Sequence, residues 1–374
     1  MIDSKQFIEK LGSGGVEFFT GVPDSLLKNM CAYITDYIDE NHHIIAANEG
    51  GAIGLAAGYH LATGKIGCVY MQNSGEGNVV NPLLSLVDED VYKIPLLLII
   101  GWRGEPGVHD EPQHKKQGKV TLGLLETMGV PYAVLDETWE SQVATALQYI
   151  QESGKQYALV VRKGTFDDYT IQSKSESACE MSREEAIQLV VDKLREEDIV
   201  VSTTGMISRE LFEYREAKQQ GHGCDFLTVG SMGHASQIAL GIALQKPNRR
   251  VFIFDGDGAL LMHMGGMAII GNRCPKNLVH IVFNNGAHDS VGGQPTVGQQ
   301  IDTEAIARAV GYTDYVTVDN PLALQCAMNH VNCAFIEGTA LIDIHVRKGN
   351  RKDLGRPTTT PIENKQAFMQ NLSR

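Results

Sequence analysis

Short apolar runs recur along the whole chain, at residues 16–19, 44–47, 68–71, 96–100, 158–161, 199–201, 251–254, 278–283 and 341–346. Amphipathic or Ala/Gly-rich segments separate them. Unbroken β-branched runs alternating with helical patterns predict strands buried on both faces, which means parallel sheets covered by helices. The pattern is that of an α/β protein with two doubly wound parallel-sheet domains and no central third domain. Residues 172–181, QSKSESACEM, are polar and aperiodic, so the boundary is expected there. After it, Ser182-x-x-Glu185 fits a capping box, and Ile187, Val190, Val191 and Leu194 fall on one helical face. The expected domains are 1–172 and 182–374. The stretch after Val346, KGNRKDLGRPTTTP, reads as a loop arm closing the second.

Composition narrows the class. With 374 residues the chain can bury two cores, and 43% apolar with 21% charged residues excludes a disordered or coiled-coil protein. Its 39 glycines exceed the usual share of about 7%, which suggests many tight strand-to-helix turns beside a ligand. A net charge of −13 argues against nucleic acid or an anionic membrane as partner. The seven cysteines are widely spaced with no Cys-x-x-Cys pair, as in a reduced cytoplasmic protein. No signal-like stretch opens the chain, and the longest apolar run, 94–100, is too short to span a bilayer.

The strongest local signal runs from Val251 to Gly286: a strand ending in Gly256-Asp257-Gly258, a helix, then a strand ending in Asn284-Asn285. A right-handed crossover brings Asp257 and Asn284 together at the carboxyl edge of one sheet, where ligands bind. A carboxylate, an amide oxygen and the freed carbonyl of Gly286 are hard donors suited to Mg²⁺. Glycines beside Asp257 admit phosphate to the backbone and to the helix N-terminus. Rival motifs fail: Leu261 replaces the third glycine of a dinucleotide fingerprint, and Ile66 follows Gly64-Lys65 where a phosphate loop needs Ser or Thr. In the first half, Glu49 stands between an apolar strand and a helix of Gly and Ala. Gly54 with Gly58 and Ala52 with Ala56 offer a smooth face for close approach of another element, a candidate subunit interface.

In its Gly-Asp-Gly to Asn-Asn spacing the sequence resembles the thiamin diphosphate-dependent enzymes. The resemblance implies that Asp257, Asn284 and the Gly286 carbonyl hold Mg²⁺, while Gly256, Gly258, Ala259, Thr204 and Gly205 line the diphosphate. It implies that Glu49 hydrogen-bonds the aminopyrimidine N1′ and so activates the cofactor. It places Met232 between the two rings of the cofactor and gives the Gly230 carbonyl to the 4′-amino group.

A narrower resemblance is to the compact two-domain decarboxylases of phosphonopyruvate and sulfopyruvate, carried by TGVPDSLLK, NSGEGNVVNPLLSL, RGEPGVHDEPQHKKQG, TTGMISREL, GGQPT and RKDLGRP. It implies release of carbon dioxide from 3-phosphonopyruvate in phosphonate biosynthesis, with sulfopyruvate as the alternative substrate. It also implies a homo-oligomer whose sites form between one chain's first half and another's second. A doubly charged phosphonate needs cationic or amide donors, and Arg103, Lys115, Arg351 and Arg356 lie near expected strand ends or in the arm. Asp24 and Ser25 follow the first strand, where relatives place a polar residue beside the reacting carbon. His109 or His114 could return the proton, since imidazole titrates near neutrality. A His-Asp metal phosphohydrolase is disfavoured because His109-Asp110 and His288-Asp289 follow strands of an α/β chain. Without clustered cysteines an iron–sulfur-linked oxidoreductase is disfavoured too.

Overall fold

The structure is a computed structural model and describes residues 1–172, 179–333 and 337–373, with the side chain of Cys333 left out. Residues 173–178, the middle of the expected boundary, lie outside the described residues. The chain divides into two compact units, one of residues 1–174 with 288–294, the other of 175–287 with 295–374.

In the first unit the strands are β1 (Val16–Gly21), β2 (His43–Ile45), β3 (Ile66–Gln72), β4 (Leu96–Gly101), β5 (Tyr132–Val134) and β6 (Tyr157–Val161). They form one sheet of order β2-β1-β3-β4-β6-β5, and every pairing is parallel. The second unit contributes β7 (Ile199–Ser202), β8 (Asp225–Leu227), β9 (Val251–Gly256) and β10 (Leu278–Asn284). Two residue pairs, β11 (Ala287–His288) and β12 (Gln294–Pro295), make a small ladder of their own, and β13 (Asp314–Val318) and β14 (Ala340–His345) complete the second sheet. Its order, β13-β14-β10-β9-β7-β8, is also all parallel. Counted along each unit, both sheets run second, first, third, fourth, sixth, fifth. The chain reverses direction across the sheet between first and third strands, so each unit has a crevice at the carboxyl ends there.

Helices cover both faces of each sheet, which explains the continuous apolar runs. All residues of β4 and β10 are buried. Within the two six-stranded sheets β5, β8 and β13 have no such run, and all three are edge strands, where a short segment needs no unbroken apolar pattern.

The stretch 348–360 is a loop, as expected, and a helix that the sequence did not announce follows it. Pro361–Leu372 is a helix opened by a Thr360–Glu363 capping box. Asn364 accepts from the Leu227 amide at 3.2 Å and donates to the Asp225 carbonyl at 2.9 Å, so the helix is fastened along edge strand β8. The capping box at Ser182 forms, but its helix ends at Val191, which leaves Leu194 beyond it and still against the core. Buried ion pairs brace this unit: Arg183 with Glu210, and Arg215 with Asp225. The two faces of the Glu49–Thr63 helix differ. Ala52, Ile53, Ala56 and Ala57 are buried on the unit's own sheet, whereas Gly54, Leu55 and Gly58 are exposed. Among the described residues no helix is long and apolar enough to cross a membrane.

Candidate active site

In the second unit, adjacent parallel strands bring the Asp-Gly and Asn-Asn ends together in register. Gly256 of β9 pairs with Phe283 of β10, so Asp257 and Asn284 are each the next residue. A Cβ added to Gly298 would stand 2.8 Å from Asp257 Oδ2 and 3.1 Å from Asn284 Oδ1, which shows the two oxygens converging on one point. Both side chains are buried. Burial pushes the Asp257 carboxyl up to about 6, against the pull of the Thr296 hydroxyl and nearby backbone amides. Gly286 follows in the left-handed region at φ 64°, and its carbonyl accepts from the Thr296 amide at 3.0 Å, leaving a lone pair free.

The expected diphosphate residues lie on the loops of the same edge. Gly205, at φ 99°, caps the Met206–Lys218 helix, and Thr204 Oγ1 accepts from the Gly230 amide at 3.1 Å, tying those two loops together. Gly233 packs over the start of the Asp257–Met262 helix, where an added Cβ would lie 3.1 Å from the Ala259 carbonyl. Met232 is half-buried in that loop. The hydroxyls of Thr203 and Thr228, just past β7 and β8, are buried with no hydrogen-bond partner among the described residues. Three hard oxygen donors, unpartnered hydroxyls and a helix N-terminus fit a magnesium-bound diphosphate. Asp257, Asn284 and Gly286 would hold the cation.

The first unit builds its carboxyl edge from side chains. Asn48 caps the Glu49–Thr63 helix by accepting from Gly51 N at 2.9 Å, which fixes Glu49 as the first helical residue. Glu49 is buried, and its Oε2 accepts from Asn78 Nδ2 at 2.6 Å. Gly75 lies so close that an added Cβ would be 2.5 Å from Glu49 Oε1. Beyond β1, the fully buried Asp24 accepts from Gln72 Nε2 at 2.6 Å, and Gln72 Oε1 accepts from Ser74 Oγ at 2.8 Å. Arg103 donates to Ser25 Oγ at 2.7 Å and grips Asp110 with two bonds of 2.8 and 2.5 Å. Burial would raise the Asp110 carboxyl, but the Arg103 bonds and the Gly104 amide hold it below the ordinary range. His114 is buried, with Nδ1 unpartnered among the described residues, and burial, followed by Arg103, lowers its pKa, so it is neutral near pH 7.

The structure thus gathers Asp24, Ser25, Arg103 and His114 at one edge, and leaves His109 and Lys115 exposed. Arg351 is bound by Glu184, Glu213 and Asp353 of the second unit, so its charge is already matched. Arg356 is exposed in the same tail. Sequence reading gave no role to Gln72, Asn78 or Thr296, although Asn78 and Thr296 lie in NSGEGNVVNPLLSL and GGQPT, segments that carry the narrower resemblance. It also missed Arg209, a half-buried guanidinium that burial pulls down in pKa and that has no ion pair among the described residues.

Comparison with known proteins gives the family. Residues 4–122 match the N-terminal TPP binding domain of thiamine pyrophosphate enzymes, and residues 203–344 match their C-terminal TPP binding domain. The chain belongs to the thiamine pyrophosphate enzyme family, and within it to the decarboxylases. It is 33% identical to the phosphonopyruvate decarboxylase of Streptomyces viridochromogenes, over 98% of this chain and 94% of that protein. It is 30% identical to the sulfopyruvate decarboxylase of Methanosarcina acetivorans, over 84% of each. The beta subunit of the sulfopyruvate decarboxylase of Methanococcus maripaludis matches along its whole length, at 31% identity, while covering 52% of this chain.

Proposed function

We propose that this decarboxylase acts on 3-phosphonopyruvate, releasing carbon dioxide and phosphonoacetaldehyde with thiamin diphosphate and Mg²⁺, in phosphonate biosynthesis of the 2-aminoethylphosphonate type. The observation that carries this reading is similarity to a phosphonopyruvate decarboxylase along nearly the full length of both chains. When bound, thiamin diphosphate supplies a nucleophilic carbon and an electron sink for the bond that breaks.

The residues divide the work. Asp257, Asn284 and the Gly286 carbonyl hold the cation, while Gly256, Gly258, Ala259, Thr204 and Gly205 present amides and a hydroxyl to the diphosphate. Gly230 and Met232 would hold the cofactor's rings. Glu49, oriented by Asn78 and capped in place by Asn48, holds a proton at the pyrimidine nitrogen. Asp24 and Ser25 orient the keto acid, with Asp24 fixed by Gln72. Buried His114 or exposed His109 would, after taking up a proton, return it to complete the aldehyde. Because Arg103 and Arg351 are matched by carboxylates within their own units, they serve the phosphonate only through a shared hydrogen bond. The assembly is a homo-oligomer with each site completed by a second copy, and the protein is cytoplasmic. Cys31, Cys68, Cys224, Cys274 and Cys326, which form no disulfide among the described residues, support the reduced compartment.

Sulfopyruvate is the second reading, favoured by the Methanosarcina relative. Carbon dioxide release from both acids decides between them. Faster turnover of phosphonopyruvate is expected; faster turnover of sulfopyruvate moves the assignment, and no release from either overturns it.

A further inference from the structure

One short segment touches all three candidate metal ligands. Thr296 Oγ1 donates to Asp257 Oδ2 and accepts from the Gly298 amide at 3.2 Å. The Gly298 carbonyl accepts from Asn284 Nδ2 at 2.9 Å, and the Thr296 amide donates to the Gly286 carbonyl at 3.0 Å. Gln299 Nε2 adds a bond of 3.0 Å to the Asn284 carbonyl. Thr296 is itself buried.

These bonds fix orientation rather than merely fill space. A hydroxyl has one proton, and here a backbone amide occupies its acceptor side, so the proton is directed at the carboxylate. That hydrogen bond holds Asp257 in one rotamer. An amide side chain can flip end for end, but a carbonyl at Nδ2 selects the orientation in which Asn284 Oδ1 is the outward oxygen. Gly298 allows this by lacking a side chain: an added Cβ would be 2.6 Å from Asp257 Cβ and 2.8 Å from its Oδ2, so the carboxylate would have to move.

We propose that Thr296 and Gly298 are positioning residues, which orient Asp257 and Asn284 for the cation without contacting it. The inference rests on the magnesium-diphosphate reading of this edge. Partners that hydrogen-bond a metal ligand govern affinity, and losing one typically weakens metal binding about 10–100-fold.

The test is a titration of Mn²⁺ into the full-length protein at saturating thiamin diphosphate, following free Mn²⁺ by electron paramagnetic resonance. Thr296→Val keeps the shape and removes the hydroxyl, whereas Thr296→Ser keeps the hydroxyl. The valine variant should bind Mn²⁺ about 10–100-fold more weakly, the serine variant close to wild type, and turnover of the valine variant should recover at saturating metal. Gly298→Ala should weaken binding in the same direction. A valine variant that binds Mn²⁺ as tightly as wild type overturns the inference. Should valine prevent folding, alanine against serine at position 296 gives the same comparison, and equal affinity for the two again overturns it. Wild-type protein that takes up no Mn²⁺ with the cofactor overturns the functional reading as well.

Discussion

The two units share a strand order and share almost nothing at their carboxyl edges. In the first, the edge is a set of side chains holding side chains: Asn78 on Glu49, Gln72 on Asp24, and Ser25 with Asp110 on Arg103. In the second it is mostly backbone, with Gly205, Gly230, Gly233 and Gly286 in left-handed conformations and only Asp257 and Asn284 as strong side-chain donors. Proton handling needs side chains whose environment can be tuned, whereas binding a diphosphate and its cation needs amides, carbonyls and room for close approach. One topology therefore carries two unlike carboxyl edges, and what each can do follows the edge rather than the fold.

This division of labour is broken most sharply at the centre of each edge. Asp257→Ala should abolish metal-dependent cofactor binding measured by calorimetry. Glu49→Gln should leave that binding largely intact while lowering kcat by about 10²–10⁴-fold, the range for losing a general acid–base group. A Glu49→Gln enzyme with unchanged kcat would remove the proton role from the first unit.

A second contrast lies in how charge is buried. The second unit holds Arg183–Glu210 and Arg215–Asp225 in its interior, and burial raises Asp225 despite its arginine. The Lys65–Glu17 pair of the first unit is about half exposed. Arg183→Ala strands a buried carboxylate and should cost about 3–5 kcal/mol in urea unfolding. Lys65→Ala should cost about 0–1 kcal/mol. Equal losses would show that the second unit does not depend on its internal charges.

The same contrast explains what the sequence could reveal. Strands buried on both faces write their positions as unbroken apolar runs, so β4, β9 and β10 are legible, whereas the edge strands β5, β8 and β13 leave no run to read. The Pro361–Leu372 helix follows a stretch of Arg, Gly, Pro and Thr and buries Asn364 and Phe368, too thin a stripe to announce a helix. Asp257 and Asn284 were legible because their spacing fixes a strand–helix–strand crossover. Thr296 was not, because its bond to Asp257 depends on a loop returning to the end of β9, and nothing local to Pro295-Thr296-Val297 encodes that return.

An effect spread over pH tests the exception to the first unit's pattern. Glu76 begins the Glu76–Ser85 helix, and its carboxyl is buried without a countercharge, hydrogen-bonded to Thr121 with Oε1 unpartnered among the described residues. Burial pushes its pKa from 4.5 up to about 8, and the Thr121 bond opposes this only in part. Between those values the folded protein keeps a proton that the unfolded chain has lost. Its contribution is therefore fully present below about pH 4.5 and declines as pH rises to about 8, by up to about 1.4 kcal/mol per pH unit. Above that the dependence on this group flattens. Glu76→Gln cannot ionise, so the difference between wild-type and variant unfolding free energies should tilt in favour of the variant across this window. Parallel pH curves for the two proteins would mean that Glu76 is already ionised in the folded state, paired in a way that brings the first unit's edge closer to the second unit's buried ion pairs.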